Sequence, residues 1–415
     1  NGGDGLVLAR LAHAAGIGVR VLLVGDAGAI RGEAADALRD LRATGLDVRG
    51  FDPGTLATCD VVVDALLGIG VRAPLQPAWL AAIEAMNACR VDVFSLDVPS
   101  GLDPDSGRAL PAVKAAATLT FLGLKQGLFL ADGPDHAGAL EFDALGALPS
   151  GSGRSPAPSL QLLDSSCIGK ALAPRRRHSH KGLFGRVLVI GGGVGMAGAV
   201  RMAGESALRA GAGLVTVASR PEHLGVVGAR PELMFLGVEQ GADLAGALEQ
   251  AQVIAIGPGL GRSAWARDLL ATVLQGARAG QRLVLDADAL NLVADAGATR
   301  RDDWILTPHP GEAARLLGTT TEAVQANRLA ALGELTRTRG GIVVLKGAGT
   351  LVGRDGGIPQ LCTAGNPGMA VPGMGDVLTG AVAALVAAAA QGGDPSRGGD
   401  AFAATCAAVQ AHAMA

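Results

Sequence analysis

Glycines cluster just ahead of a carboxylate between residues 365 and 376, and an Ala-rich apolar segment follows at once. This change of composition predicts a helix that begins near Gly375. Glycine lets backbone N–H groups approach a ligand closely, and the N-terminus of a helix favours bound phosphate. Asp376 therefore either caps this helix or, beside a phosphate, takes a proton from a hydroxyl group.

Three other segments of the second half place glycine and a polar or charged residue directly after a predicted strand. Open α/β sheets bind ligands at the carboxyl ends of their strands, so we expect these segments to converge on one nucleotide site. Lys346 precedes its glycines, so it does not form a phosphate-binding loop of the Walker type, but it offers a charge to an anion. His309 lies between two prolines, where a ligand contact and a structural role are both open. The segments are 257–261 (Gly-Pro-Gly-Leu-Gly), 307–312 (Thr-Pro-His-Pro-Gly-Glu) and 346–350 (Lys-Gly-Ala-Gly-Thr).

Carboxylates also end two predicted strands of the first half. Asp64 and Asp97 are each followed by a loop that contains glycine, which favours a ligand site over two helix caps. Residues 1–5 (Asn-Gly-Gly-Asp-Gly) run into an apolar helical pattern and predict either an anion-binding loop or an ordinary turn. The oxygen atoms of Asn1, Asp64 and Ser100 are donors that a hard cation prefers.

A dinucleotide fingerprint, Gly-x-Gly-x-x-Gly, spans residues 193–198 between a predicted strand and a predicted helix. The next strand ends at Ser219 and Arg220, where an NADP-dependent enzyme can hold a 2′-phosphate. This alternative, an oxidoreductase, leaves every motif after residue 220 unexplained. Glycines at the end of a strand can also serve close packing alone.

Strands and helices alternate in both halves, which predicts two α/β domains, each with a parallel sheet covered on both faces. A Pro-, Ser- and Gly-rich stretch separates them, giving domains at 1–148 and 177–415 with a linker at 149–176. In the first domain we expect strands at 19–25, 61–66, 91–98 and 116–122, and helices at 31–44 and 77–89. In the second we expect strands at 187–190, 214–218, 253–256, 283–286, 305–307 and 342–345, helices at 198–210 and 263–277, and two closing Ala-rich helices.

The composition narrows the possible partners. The net charge of −3 and the lack of a basic face argue against nucleic acid. The longest apolar run, 377–390, is too short to span a membrane and suits a buried helix. Five scattered cysteines form no Cys-x-x-Cys pair, so we expect neither a zinc site nor a disulfide framework, and a reduced cytoplasmic location.

The motifs of the first half resemble those of the NAD(P)H-hydrate epimerase family over nearly all of residues 1–145. The matching pieces are Asn1-Gly-Gly-Asp-Gly, Asp64-Ala-Leu-Leu-Gly-Ile-Gly, Asp97-Val-Pro-Ser-Gly-Leu and Lys125-Gln-Gly-Leu. The resemblance implies a Rossmann-like, three-layer α/β fold. It also implies Asp97 as the acid/base of epimerisation, and a potassium ion on Asn1, Asp64 and Ser100. The hydrated nucleotide is expected to contact Asn1, Gly2, Gly3, Asp4, Gly68, Ile69, Gly70, Val71, Arg72, Ala73, Pro74 and Asp97.

The motifs of the second half resemble the ADP-dependent NAD(P)H-hydrate dehydratases, a branch of the ribokinase-like fold, over about residues 178–390. The pieces include Lys181-Gly-Leu-Phe-Gly, Gly257-Pro-Gly, His309-Pro-Gly-Glu, Lys346-Gly-Ala-Gly-Thr and the run from Gly365 to Asp376. The resemblance implies Asp376 as the catalytic base. The hydrated dinucleotide is expected to contact Ala199, Gly259, His309 and Asp376. The adenine nucleotide is expected to contact Lys346, Gly347, Ala348, Gly349, Thr350 and Gly375.

Together the two resemblances imply a bifunctional repair enzyme for hydrated NADH and NADPH (NADHX and NADPHX), of a kind known in bacteria. The first domain would interconvert the R and S forms, and the second would phosphorylate the ring hydroxyl of the S form from ADP and eliminate phosphate. The implied cofactors are ADP, Mg²⁺ and K⁺, and a homo-oligomer is expected through the Ala-rich helices. The chain starts inside the first motif and stops before the usual family end, so we expect both termini to be incomplete. A ribokinase-like small-molecule kinase, an NADP-dependent oxidoreductase and a nucleotide-binding module without turnover are the alternatives.

Overall fold

Two compact units make up the chain, Asn1–Ala157 and Pro158–Ala415. They were analysed in a computed structural model that describes residues 2–146, 158–172, 175, 177–297, 300–391 and 400–415. Among these residues, no helix combines the length and the apolar character needed to cross a membrane.

The first unit contains a parallel sheet of four strands and a separate parallel pair. The sheet has the order β3-β4-β5-β6, and β1 pairs with β2. Asp64 is the last residue of β3, and Asp97 directly follows β4, as expected. The elements in chain order are α1 (Gly3–Ala14), β1 (Val21–Leu23), α2 (Glu33–Ala43), β2 (Val48–Gly50), α3 (Pro53–Leu56), β3 (Val62–Asp64), α4 (Pro77–Ala88), β4 (Val93–Leu96), β5 (Ala117–Phe121), α5 (Gly133–Ala137) and β6 (Ala139–Asp143).

One face of the four-stranded sheet differs from the expectation of cover on both sides. Val63, Phe94 and Leu119 project from the same face, and 43%, 38% and 36% of each is exposed with respect to the described residues. Helices α1 and α2 do not cover this face, because their apolar side chains form a separate core with β1 and β2 around Leu6 and Leu41.

The glycine-rich N-terminal segment is helical, so the prediction of a loop over residues 1–5 was wrong for its described part. Helix α1 already includes Gly3, Asp4 and Gly5. A Cβ on Gly5 would lie 2.5 Å from Cβ of Ala65, so a glycine at this position lets the first turn of α1 approach the loop after β3. Of the described glycines in this segment, Gly5 is the one whose lack of a side chain serves helix packing, and it lies beside the residue that follows Asp64.

A ten-stranded sheet forms the second unit, in the order β10-β9-β8-β11-β12-β13-β14-β15-β16-β7. Only β15 runs antiparallel to its neighbours. Its elements are β7 (Gln161–Leu162), α6 (Ser166–Ala171), β8 (Arg186–Ile190), α7 (Ala197–Arg209), β9 (Leu214–Ser219), α8 (Leu224–Val227), β10 (Met234–Gly237), α9 (Ala245–Gln250), β11 (Val253–Ile256), α10 (Ala264–Gly276), β12 (Arg282–Leu285), α11 (Ala287–Asp295), β13 (Trp304–Leu306), α12 (Pro310–Leu317), α13 (Thr321–Ala326), α14 (Arg328–Arg339), β14 (Ile342–Leu345), β15 (Thr350–Arg354), β16 (Gln360–Cys362), α15 (Met374–Gln391) and α16 (Ala401–Met414).

The range expected to be a linker, 149–176, contains regular structure at its described end. Strand β7 pairs with β16 and extends the sheet of the second unit, and α6 packs against α16. Composition did not show this, because β7 is only two residues long and both its residues are exposed. Residues 147–157 lie outside the described part of the chain.

The strand order changes direction beside β8, which places a ligand crevice in the second unit. After β8 the chain adds β9 and β10 on one side and then returns to place β11 on the other. Such a switch point opens a crevice at the carboxyl ends of the two central strands. Helices α7, α15 and α16 pack on the sheet, and the apolar side chains of the two Ala-rich helices are mostly buried there rather than presented to another subunit.

The loop after β11 depends on glycine at position 257. Gly257 has φ +133°, and a Cβ at this position would overlap the carbonyl oxygen of Asp286. We expect Gly257→Ala to lower the free energy of unfolding by about 2–3 kcal/mol, because the loop must move away from β12. Gly246→Ala is the matched control, since a Cβ there meets nothing within 4 Å in helix α9. It should stabilise the protein by up to ~1 kcal/mol. Denaturant unfolding followed by circular dichroism measures both, and equal effects of the two substitutions would contradict the prediction.

Candidate functional site

The buried carboxylate of Asp286 lies at the centre of the candidate site in the second unit. Asp286 directly follows β12 and is 1% exposed. Its Oδ1 accepts hydrogen bonds from Thr307 Oγ1 at 2.8 Å and from Lys346 Nζ at 2.7 Å, and its Oδ2 accepts one from Thr379 Oγ1 at 2.8 Å. These bonds join the ends of three adjacent strands to helix α15.

Asp376 faces this centre from the first turn of α15. A Cβ on the preceding Gly375 would lie 3.3 Å from Lys346 Nζ, so a glycine there lets the helix end approach the ammonium closely. Burial and the charge of Asp286 raise the pKa of Asp376 to about 6, against the lowering effect of Lys346. A half-buried carboxylate with such a pKa suits a general base near neutral pH.

Lys346 is surrounded by carboxylates. Besides Asp286, its Nζ lies 3.9 Å from Oε2 of Glu312, and Asp376 adds a third negative charge. Burial alone would lower the pKa of Lys346, but the attraction of these carboxylates outweighs it and raises the pKa. The ammonium therefore stays charged and holds carboxylates from different loops together.

The buried side chain of Glu312 positions His309. The His309 backbone N–H donates to Glu312 Oε2 at 2.8 Å, and His309 Nε2 lies 3.3 Å from Glu312 Oε1. Because the Gly311 N–H donates to His309 Nδ1 at 3.0 Å, the neutral imidazole carries its proton on Nε2. Burial and the charges of Lys346 and Arg315 lower the pKa of His309. Its side chain is 54% exposed, which leaves the ring accessible to a ligand.

The glycine loops after β8 and β11 contact each other. The Gly192 and Gly193 N–H groups donate to the carbonyl groups of Pro258 and Gly259 at 3.0 and 2.6 Å. Gly259 has φ +57°, and a Cβ there would lie 3.0 Å from Cβ of Ala199. The structure therefore brings Ala199 and Gly259 together, as their expected common role requires.

This packing gives no support to the oxidoreductase alternative. Ser219 is fully buried, and its Oγ is hydrogen-bonded to the carbonyl of Gly192 at 3.1 Å and to His223 Nδ1 at 2.9 Å. The Arg220 guanidinium stacks over the ring of Trp265 at 4.6 Å. Both side chains that a 2′-phosphate would need are engaged within the protein.

Arg328 holds the loop of residues 346–350 in place, a role that sequence reasoning missed. Its Nη2 donates to the carbonyl groups of Leu345, Lys346 and Gly349 at 3.1–3.4 Å. The side chain is buried, which lowers its pKa to about 10. Gly347 adopts φ +142° beside it, where a Cβ would clash with the guanidinium. The loop thus has a fixed shape, with Thr350 as the first residue of β15.

In the first unit, Asp64 and Ser100 form a buried cluster of oxygen atoms. Asp64 accepts hydrogen bonds from Ser95 Oγ at 2.8 Å, from the Ser100 N–H at 2.8 Å and from Ser100 Oγ at 2.5 Å. Burial raises the pKa of Asp64, while the bonds from Ser100 and Ser95 oppose the rise. Ser95 was not predicted, although it lies on β4, two residues before Asp97.

Asp97 lies in a strained turn after β4. Its φ is +68°, which a residue with a side chain rarely adopts, and it is 7% exposed. Oδ1 accepts hydrogen bonds from the Phe121 N–H at 3.2 Å and from Thr120 Oγ1 at 3.4 Å, and it pairs with Lys125 Nζ. Strain of this kind persists where the surroundings hold it, and it is frequent at active sites.

The remaining predicted contacts of the first unit lie in the loop after β3. Gly68 is buried, Val71 is half-buried, and Ile69, Gly70, Arg72, Ala73 and Pro74 are exposed. The Ser100 hydroxyl accepts a hydrogen bond from the Leu67 N–H at 2.7 Å, which ties this loop to the loop after β4. Asn1 lies outside the described residues, so its expected contacts stay predictions.

Comparison with known proteins decides the family. A family model described as NAD(P)H-hydrate dehydratase matches residues 187–415, and one described as YjeF-related protein N-terminus matches residues 1–127. The bifunctional NAD(P)H-hydrate repair enzyme Nnr of Coxiella burnetii is 47% identical over 93% of this chain and 79% of its own length. The chain belongs to the bifunctional NAD(P)H-hydrate repair enzymes. The enzyme of the same name from Escherichia coli K12 is 41% identical, over 93% of this chain and 74% of its own.

Solved structures place the second unit in the ribokinase-like fold, which confirms the expectation from sequence. A ribokinase-like superfamily protein of Enterococcus faecalis is 32% identical with a TM-score of 0.56, over 63% of this chain and 89% of its own. The ADP/ATP-dependent NAD(P)H-hydrate dehydratase of Bacillus subtilis, co-crystallised with ATP/Mg²⁺, is 26% identical with a TM-score of 0.51, over 62% and 88%. The repair enzyme family therefore accounts for both halves of this chain.

The environment of Glu312 predicts a pH dependence of stability. Burial is the largest influence on this carboxyl group and raises its pKa to about 7, above its ordinary value of 4.5. The neutral form of Glu312 therefore makes its full contribution to the free energy of unfolding below about pH 4.5. This contribution is lost as the pH rises through about 7. Glu312→Gln keeps an oxygen for the His309 N–H but cannot ionise, so we expect it to remove about 2 kcal/mol of this dependence.

Denaturant unfolding between pH 5 and 8 measures the effect. Glu249→Gln is the matched control, because Glu249 is an exposed partner of Arg278 and its replacement should leave the parent curve unchanged. Parallel curves for the parent and Glu312→Gln would refute the prediction.

Proposed function

We propose that the second unit dehydrates hydrated NADH and NADPH in two steps that use an adenine nucleotide. ADP transfers a phosphoryl group to the hydroxyl of the hydrated nicotinamide ring and leaves as AMP. The lone pair of the ring nitrogen then expels phosphate, and loss of a proton from the neighbouring ring carbon restores the double bond. The S form is the proposed substrate. The observation that carries this proposal is the position of Asp376, at a glycine-rich helix N-terminus beside the Lys346 ammonium.

Asp376 takes the proton of the ring hydroxyl as that oxygen attacks the phosphoryl group. The N–H groups at the start of α15 stabilise the negative charge on the transferred group, because a helix N-terminus favours anions. Lys346 does not act as a free cation, since Asp286 and Glu312 already bind it. Its ammonium instead supplies the positive charge beside Asp376.

The nucleotide is proposed to lie along residues 346–350 and Gly375, and the ring substrate beside Ala199, Gly259, His309 and Asp376. Arg328 binds the carbonyl groups of Leu345, Lys346 and Gly349, and the Lys346 N–H donates to the carbonyl of Pro308. We therefore propose that the N–H groups of residues 347–349 face the ligand. Mg²⁺ would accompany the phosphates and reduce their charge near the three carboxylates. The exposed part of the His309 ring would contact the ring substrate.

We further propose that the first unit epimerises the hydrated ring and binds K⁺. The buried oxygen atoms of Asp64 and Ser100 fit a hard monovalent cation, because the hydrogen bonds to Asp64 from described residues come from uncharged donors only. A bound cation would offset this buried charge and keep the loops after β3 and β4 together. We also propose that residues 1–4 and 68–74 contact the substrate. The protein is further proposed to be cytoplasmic and to assemble as a homo-oligomer.

One experiment tests the repair function. NADH hydrate, prepared with acid, is incubated with the protein and ADP, with ATP, or with neither, and the NADH absorbance band is followed. Recovery of the band with nucleotide supports the proposal. A stable phosphorylated product would indicate a kinase instead, and binding without any turnover would indicate a regulatory module.

Replacement of the proposed base should separate the two activities. We expect Asp376→Asn to lower the dehydration rate by ~10²–10⁴-fold, because the hydroxyl proton loses its acceptor. Nucleotide affinity, measured by calorimetry, should stay near the parent value. Epimerisation by the same variant, followed by chromatography of the two forms, is the internal control and should be unchanged. Dehydration near the parent rate would exclude Asp376 as the base.

Dehydration should also depend on the ionisation of Asp376. The base must be deprotonated, and its pKa is about 6, so kcat/KM should fall tenfold per pH unit below about pH 6 and level off above it. A profile measured from pH 4.5 to 8 at saturating nucleotide tests this. A rate that stays constant down to pH 4.5 would contradict the assignment.

A further inference from the structure

Lys125 lies in the candidate site of the first unit and has no role in the function proposed so far. It follows β5 by four residues, and its side chain is 18% exposed, while that of Asp97 is 11% exposed. The ammonium pairs with Asp97 Oδ1 and donates to the carbonyl of Phe121 at 2.7 Å. An ammonium has three hydrogens, and with respect to the described part of the chain one is left for a ligand after these two bonds.

The Asp97 carboxylate is held on one of its two oxygen atoms. Within the described residues, the hydrogen bonds to it come from Thr120, Phe121 and Lys125, and all three fall on Oδ1. The strained backbone, with φ +68°, and the bond from the Asp97 N–H to the carbonyl of Leu119 at 2.7 Å fix the position further. Oδ2, which accepts none of these bonds, is thus the oxygen that can exchange a proton with a ligand.

Epimerisation of the hydrated ring can follow two routes, and they need different arrangements of acid and base. If hydroxide leaves and water returns on the opposite face, the acid and the base must lie on opposite sides of the ring. If the ring opens, the proton donor and the proton acceptor act on the ring nitrogen and the hydroxyl oxygen, which share one carbon atom. A donor and an acceptor in direct contact fit the second arrangement and not the first.

We propose that Lys125 is the general acid of epimerisation and that it acts with Asp97 on the two atoms bonded to the hydrated ring carbon. This inference rests on the proposed epimerase function of the first unit. Asp97 takes the hydroxyl proton, the carbon–oxygen bond becomes a carbonyl, the carbon–nitrogen bond breaks, and Lys125 gives its proton to the ring nitrogen. The carbonyl group then rotates about its bond to the neighbouring carbon, and the nitrogen attacks its other face. Lys125 takes its proton back from the nitrogen, and Asp97 returns the hydroxyl proton to the oxygen. No atom or electron is gained or lost, and no co-reactant is needed.

The route retains the original oxygen atom, which gives a direct test. Hydrate labelled with ¹⁸O at the ring hydroxyl is incubated with the protein in ordinary water without nucleotide, so that no dehydration occurs. Chromatography with mass detection follows both the epimer ratio and the label. The label should persist through equilibration of the two forms. Loss of the label in step with epimerisation would overturn ring opening.

Substitutions of Lys125 separate a catalytic role from a positioning role. We expect Lys125→Met to lower the epimerisation rate by ~10²–10⁴-fold. Lys125→Arg keeps the charge beside Asp97 but cannot release a proton near neutral pH, so it should be impaired as strongly. Lys114→Met, at an exposed lysine of the same unit, is the control and should match the parent. Thermal unfolding by circular dichroism checks that all variants are folded.

The outcomes distinguish this inference from the function on which it rests. If Lys125→Arg restores the rate that Lys125→Met loses, Lys125 only holds Asp97 and the inference is wrong. If folded Lys125→Met epimerises at the parent rate, the inference is wrong while the epimerase function stands. If the parent protein does not exceed the spontaneous rate, the proposed epimerase function itself fails.

Discussion

The three hydrogen bonds that converge on Asp286 constrain the catalytic end of the second unit. Its partners, Thr307, Lys346 and Thr379, belong to separate loops and to helix α15. A carboxylate that is 1% exposed is stable in its charged form only when such donors surround it. Removing any one of them leaves a buried polar group without its partner, so the loops and the helix end are held as a set. The position of Asp376 relative to Lys346 follows from this constraint.

The same cluster explains why two carboxyl groups beside it have raised pKa values. Asp286, Glu312 and Asp376 share a single ammonium, so the site keeps excess negative charge in surroundings that are poor in water. Burial raises the pKa of Glu312 to about 7 and that of Asp376 to about 6, and Asp286 adds to both. The proposed binding of a polyphosphate through backbone N–H groups and an accompanying cation, rather than through free lysines, is consistent with this charge and with the abundance of glycine.

Much of the fold followed from sequence because buried parallel strands are nearly continuous apolar runs with polar residues at their ends. The strands before Asp64, Gly257 and Lys346 were predicted on that basis, and the structure has them. Strand β7 and the helical start at Gly3 escaped prediction, since one is very short and the other carries glycines that usually interrupt helices. Arg328 and Thr379 were missed for a different reason. Arg328 is the first residue of α14 and Thr379 lies within α15, and only the tertiary fold shows that these side chains meet the loops of the site.

Sequence also could not separate carboxylates that hold the loops together from those proposed to react. Asp64, Asp97 and Asp286 all end a strand, yet their surroundings differ. Both oxygen atoms of Asp64 and of Asp286 accept hydrogen bonds from residues of neighbouring strands, loops or helices. Asp97 receives its donors on Oδ1, and Asp376 faces the ammonium of Lys346 across Gly375. Each unit therefore contains one carboxylate that is hydrogen-bonded on both oxygen atoms and joins neighbouring loops, and a second carboxylate whose surroundings are compatible with proton transfer.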